Sequence, residues 1–287
     1  MENTETAFAF TNNAQHQLIG IIHHPAEVMS QAGLLIVVGG PQYRIGAHRQ
    51  YVHLARHCAK QGIPVMRFDY QGIGDSAGVY PGFEHVAPDI HEAIDQFITR
   101  VPEIKSVAIW GLCEGASAIL LGGADHKAAS HIILANPWVR SESGLAKAYV
   151  KHYYFERLLR PEFWKKIFSG KLNIKSAISG LFSNIKKAFV KERPENTDNR
   201  AFPDRMLSGL QRFQGEFLLI SSQNDLVARE FDDLTSADKE WRQTLKEKQS
   251  TRVDIAGSDH TFSTEEWRKQ VAACTVDWLL TSDPSGQ

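Results

Sequence analysis

The chain has 287 residues, 43% hydrophobic and 23% charged, which is enough to bury a sizeable core in one large domain or two modest ones. With 32 Lys and Arg against 33 Asp and Glu, its net charge of −1 offers no general attraction to nucleic acid or anionic lipid. No run approaches the ~20 apolar residues of a membrane span. The three scattered cysteines, Cys58, Cys113 and Cys274, read as free thiols of a reducing compartment. The opening "MENTETAFAFTNN" has neither a basic stretch nor a long apolar one, so a cytoplasmic protein without a secretory leader is expected.

In chain order, "TAFAFT" and "HQLIGIIHHP" alternate enough to pair as two strands. "GLLIVVGG" (33–40) is a continuous apolar run closed by glycines, which predicts a strand buried on both faces. Tyr51, Leu54, Ala55 and Cys58 give helical spacing to 46–61. Strand "PVMRFDY" (64–70) follows, then the loop "QGIGDSAG", where Asp75 and Ser76 are expected to bond their own turn. A helix runs from about Phe83 to Thr99, and "SVAIWGL" (106–112) is the next strand. A helix opens after Cys113 and extends to about Gly123. "HIILANPW" (131–138), "GEFLLISS" (215–222) and "TRVDIAG" (251–257) are further strands, and "TEEWRKQVAACTVDWLL" is a closing helix. Alternating strands and helices define an α/β fold with a mostly parallel twisted sheet covered on both faces. The core is assigned to 1–138 and 206–282, an inserted helical cap or lid to 139–205, and a loose tail to 283–287.

The chemistry centres on "GLCEG". Gly111-Leu112-Cys113-Glu114-Gly115 has the G-x-S-x-G spacing of a nucleophile elbow, with cysteine in the serine position. The chain turns sharply from strand to helix there, so side chains two residues either side of the nucleophile would collide, and Gly111 and Gly115 avoid this. A helix N-terminus at Cys113 favours a thiolate. Such a nucleophile needs an acid and then a histidine, each in a loop after a late strand. "LLISSQND" supplies Asp225 and "VDIAGSDH" supplies His260, with the adjacent Asp259 ranked below Asp225. Backbone N–H groups of Glu114 and of the "GGPQYRIG" loop would form the oxyanion hole. Pro41 has no N–H, so Gly40 is the first choice and Gln42 the second.

These features resemble the α/β-hydrolase superfamily across nearly the whole chain. Within it, "WGLCEGASA" with "GGPQYRIGAHRQ" upstream is similar to the exosortase A system-associated hydrolases of type 1, bacterial proteins linked to exopolysaccharide and protein sorting. The resemblance implies a cytoplasmic esterase- or thioesterase-like enzyme; with no P-loop, dinucleotide fingerprint or zinc cysteine pattern in the sequence, no cofactor is expected. The cysteine nucleophile is also similar to that of dienelactone hydrolases, compact enzymes without so long an insertion. The expected substrate is a small-molecule ester or thioester with an apolar acyl part, cleaved through a covalent acyl-enzyme. An acyltransferase using the same three residues and a non-catalytic binding protein of this fold are the alternatives.

Residues 140–200 hold 14 Lys and Arg against 6 Asp and Glu. Ile174, Ile178, Leu181, Phe182, Ile185 and Phe189 form one apolar helical face there. The plain expectation is a cap packed on its own domain; the sharper one adds contact between the basic cap and a membrane or membrane protein. His53 and His57 lie four apart, but Leu54 stands where a metalloprotease helix needs glutamate, so no metal is expected.

Overall fold

The computed structural model describes residues 3–40, 42–139 and 200–282. Contacts divide the chain into one unit of Met1–Val139 with Phe202–Gln287 and another of Arg140–Ala201. The expected cap lies outside the described residues except at Val139 and 200–205, and the expected tail lies wholly outside them.

Among the described residues eight strands form one sheet: β1 (Thr4–Thr11), β2 (Gln17–His24), β3 (Ala32–Val37), β4 (Val65–Phe68), β5 (Ser106–Leu112), β6 (Ala129–Ala135), β7 (Glu216–Ser222) and β8 (Thr251–Ile255). Their spatial order is β1-β2-β4-β3-β5-β6-β7-β8. β1, β2 and β4 pair antiparallel, and β4 through β8 pair parallel. The central strands carry continuous apolar runs because helices cover both of their faces. Leu34, Leu35, Ile36 and Val37 are all fully buried. Side chains on β5 alternate between the faces. Trp110 meets Tyr51 edge-on at 5.9 Å between ring centroids, whereas Gly111 faces Gly115.

Seven α-helices occur among the described residues: α1 (Gln50–Lys60), α2 (Ala87–Arg100), α3 (Glu114–Leu120), α4 (Phe202–Arg212), α5 (Leu226–Ala237), α6 (Lys239–Glu247) and α7 (Glu265–Ser282). α3 is shorter than its sequence suggested. It stops at Leu120 because Gly122 takes φ 132°, outside the helical region, and only a 3-10 turn follows. α5 and α6 escaped the reading of hydrophobic runs. Each opens on an aspartate N-cap, Asp225 or Asp238, and that pattern was present in the sequence.

The order of strands positions the site. β3 pairs with β4 on one side and β5 on the other, so the chain reverses its direction of travel across the sheet between them. Ligand crevices of open parallel sheets form at such a switch, beyond the carboxyl ends of the strands. Gly39 and Gly40 leave β3 there, and Cys113 leaves β5 beside them.

Candidate active site

Cys113 sits between β5 and α3 with φ 58° and ψ −124°. Positive φ is uncommon for a residue with a Cβ, and the surroundings hold it there. The Cys113 N–H donates to the Ala135 carbonyl at 3.0 Å, and its own carbonyl accepts from Ser117 N–H at 3.1 Å and Trp138 N–H at 3.4 Å. The glycine requirement is backbone crowding. A Cβ on Gly111 would lie 2.6 Å from the Gly115 carbonyl carbon, and one on Gly115 would lie 2.6 Å from the Val37 oxygen. Gly39 is tighter still, since its Cβ would meet the Leu112 oxygen at 2.1 Å.

Asp225 follows β7 and is buried. Its carboxylate accepts from Val227 N–H at 3.1 Å and Ala228 N–H at 3.2 Å, capping α5. Those bonds fix its rotamer and leave Oδ2 2.7 Å from Nδ1 of His260. His260 follows β8 in the loop before α7, and Cys113 stands close enough to act on its ring. Burial works against charge on this ring, but the bond to Asp225 and the nearby Cys113 outweigh it and push the His260 pKa up to about 10. The three residues named from the sequence therefore meet in one chain of contacts. Asp259 does not join them: its carboxylate accepts from Thr261 N–H at 3.2 Å and Ser263 N–H at 3.0 Å, closing its own turn.

Asn136 and Ser222 were not singled out from the sequence. Asn136 directly follows β6, takes φ 43° and is fully buried. Its Nδ2 donates to the His260 carbonyl at 3.0 Å and to Ser222 Oγ at 2.8 Å, while its Oδ1 accepts from Ser222 N–H at 2.8 Å. Ser222 Oγ in turn donates to the Asp259 carbonyl at 2.8 Å. Two successive carbonyls of the histidine loop are thus tied to the ends of β6 and β7. The only sequence signal was a pair of polar residues closing otherwise apolar strands.

The β3 loop is held from another direction. Arg44 donates its backbone N–H to Asp69 Oδ1 at 2.6 Å, its guanidinium also bonds Asp69 Oδ2, and Nη2 reaches Asp75 at 2.6 Å. The Asp75 side chain therefore does not bond its own turn as expected, whereas Ser76 does bond back within 68–78. Ser76 Oγ donates to the Asp69 carbonyl at 2.8 Å and accepts from Ile19 N–H at 3.0 Å. Buried Asp69 needs partners, and the adjacent loops supply them. Of the expected oxyanion donors, the Gly40 N–H donates to the Glu114 carboxylate. Gln42 is half-buried, and its side-chain oxygen accepts from Ala47 N–H at 3.2 Å. Burial raises the Glu114 pKa, and the Gly40 bond offsets part of that rise.

A parallel sheet with a strand–turn–helix elbow at its switch point, and with an acid and a histidine from later strands beside the elbow, defines the α/β-hydrolase class. Residues 33–184 match the family described as serine aminopeptidase, S33, and the chain belongs to that family of α/β-hydrolases. The cysteine of its elbow is a departure from the serine in the family's description. A search of curated proteins finds no sequence match. Solved structures share the fold. The esterase Pf2001 of Pyrococcus furiosus superposes with a TM-score of 0.67 at 15% identity, covering 98% of this chain and 92% of its own. The α/β-hydrolase GrgF of Penicillium gives 0.64 at 15%, covering 98% and 99%. A dienelactone hydrolase of Anabaena variabilis gives 0.60 at 15%, covering 98% and 99%.

Proposed function

We propose that the chain hydrolyses a small-molecule ester or thioester through Cys113, His260 and Asp225. The observation that carries this reading is the His260 ring, bonded to Asp225 at 2.7 Å on Nδ1 and engaged with Cys113. Such a ring takes the thiol proton, and the resulting thiolate attacks the carbonyl carbon. The carbonyl π electrons move to oxygen, and the Glu114 N–H steadies the charge that develops, joined by Gly40 once its N–H is released from the carboxylate. Collapse expels the alcohol or thiol, protonated by His260, and leaves a thioester on Cys113. His260 then deprotonates water, which attacks the thioester; the acid departs and the thiolate takes back its proton. Asp225 keeps the ring in one tautomer and offsets its charge.

The esterase neighbours favour this bond class, although their likeness to this chain is one of fold. The resemblance of "WGLCEGASA" to exosortase-associated hydrolases adds the finer reading that the substrate belongs to exopolysaccharide or protein-sorting chemistry. Three free cysteines favour the cytoplasm. Residues 139–205 serve in this reading as a cap whose basic composition favours contact with an anionic membrane or membrane protein.

The test is incubation with p-nitrophenyl butyrate and an acyl thioester, followed by peptide mass spectrometry. The expected result is turnover with an acyl adduct on Cys113, absent from Cys113→Ala and not discharged in His260→Ala. Turnover equal to that of both variants, with no adduct, would overturn the proposal.

A further inference from the structure

Glu114 adjoins the candidate nucleophile, and its two polar ends oppose each other. In the mechanism above its N–H stabilises a developing oxyanion. Its carboxylate accepts the Gly40 N–H, the second donor that mechanism uses. Oε2 lies 3.7 Å from where a Cβ on Gly40 would stand, so the carboxylate is at the glycine and not out in solvent. A carboxylate in this place occupies a donor the reaction needs and sets a negative charge beside an oxygen that must become negative.

Its surroundings do little to cancel that charge. Burial and the Gly40 N–H are the influences the structure records on Glu114, and among the described residues no lysine or arginine acts on it. Tyr80 lies near, held as a neutral phenol by burial and then by the Glu114 charge, and its buried hydroxyl has no hydrogen-bond partner among the described residues. Among the described residues the elbow thus presents a half-buried carboxylate with a weak partner, open to a better one.

We infer that Glu114 sets substrate charge preference, favouring an acyl group that carries an ammonium near the scissile carbonyl and disfavouring one that carries a carboxylate. This rests on the reading of Cys113 as nucleophile. An ammonium draws the Glu114 carboxylate away from Gly40, which frees that N–H for the oxyanion. A neutral acyl group leaves the N–H shared, and an anionic one adds repulsion at short range in a setting poorer in water than the bulk. Glu114 acts here through its charge on the substrate, while its backbone role is independent of its side chain.

The first arm of the test needs no turnover. Methanethiosulfonates bearing an ethylammonium, a methyl or an ethylsulfonate group report the field at a thiolate. The thiolate attacks the sulfenyl sulfur, a disulfide forms, and methanesulfinate leaves. Peptide mass spectrometry isolates the Cys113 rate; Cys58 is buried, and burial pushes Cys274 up to about 12. The expected result is a cation-to-anion rate ratio that falls about tenfold or more in Glu114→Gln and stays within about threefold in Glu114→Asp. A ratio unchanged within about twofold in Glu114→Gln overturns the inference. Glu114→Ala replaces Glu114→Gln if the amide fails to fold. The second arm compares kcat/KM for p-nitrophenyl esters of 4-aminobutyrate, butyrate and hemisuccinate in the same proteins, and expects the same order. Failure of the nucleophile reading is distinct: no acyl adduct forms with any ester, while the thiol reagents still report on Glu114.

Discussion

Asn136 offers the sharpest test of how the histidine loop is held. In Asn136→Ala the His260 carbonyl and the Ser222 N–H both lose their partner, while Ser222 Oγ keeps its bond to Asp259. Leaving one buried polar group unsatisfied costs about 1–3 kcal/mol, so the two groups together cost about 2–6 kcal/mol. Alanine also inherits φ 43°, which asparagine tolerates better, and the left-handed region adds about 1 kcal/mol for a residue with a Cβ. Asn136→Gly loses the same hydrogen bonds but escapes that last cost. Urea unfolding followed by tryptophan fluorescence is therefore expected to show a loss of about 3 kcal/mol or more for Asn136→Ala, with Asn136→Gly about 1 kcal/mol better. Ester turnover is expected to fall in both, since His260 loses an anchor. A loss below about 1 kcal/mol, or equal stability of the two variants, would refute this account of the bracket.

Arg44→Ala strips buried Asp69 of its counter-ion and is expected to cost about 3 kcal/mol or more in urea unfolding, where Asp69 and Arg44 replaced together cost less. Gly115→Ala drives a Cβ to 2.6 Å from the Val37 oxygen, so soluble yield and melting temperature are expected to drop sharply, more than for Ala116→Gly. The His260 pKa is about 10 in the folded chain against an ordinary 6.5. A raised pKa stabilises fully below the ordinary value and loses its effect as pH climbs through the folded one. The stability advantage of wild type over His260→Gln is thus expected to shrink as pH rises from about 7 to about 10. Cys113→Ala removes one of the groups holding the proton on that ring, so NMR titration of His260 is expected to move to lower pH.

Much of the fold was legible because apolar runs carry it. The central strands lie within a few residues of their expected bounds, and Cys113, Asp225 and His260, singled out from one pentapeptide and two strand ends, lie together in the fold. What escaped was set by polar pairs distant in sequence. Asn136 and Ser222 lie 86 residues apart, and neither shows its bond until β6 and β7 are neighbours. Asp75 turned to Arg44 across 31 residues rather than to its own turn, because a buried aspartate had already drawn the arginine in. The Glu114 side chain at Gly40 was hidden for the same reason. The sequence marked both residues for their backbones alone, and the pairing arises only when β3 and β5 lie side by side.

The elbow has a further consequence for how such a site changes over generations. Every hydrogen bond described above that fixes the conformation at 113 runs through its N–H or its carbonyl, and the crowding falls on Gly39, Gly111 and Gly115. The Cys113 side chain has no part in holding its own backbone. A serine placed there would meet the same turn and the same glycines, with a shorter bond from Cβ to the reacting atom. Cysteine and serine codons can differ by a single base, so the residue at 113 can be exchanged in one step with the hydrogen bonds and glycines of the turn unchanged. A turn built in this way presents whatever side chain stands at 113 without drawing on it for its own shape.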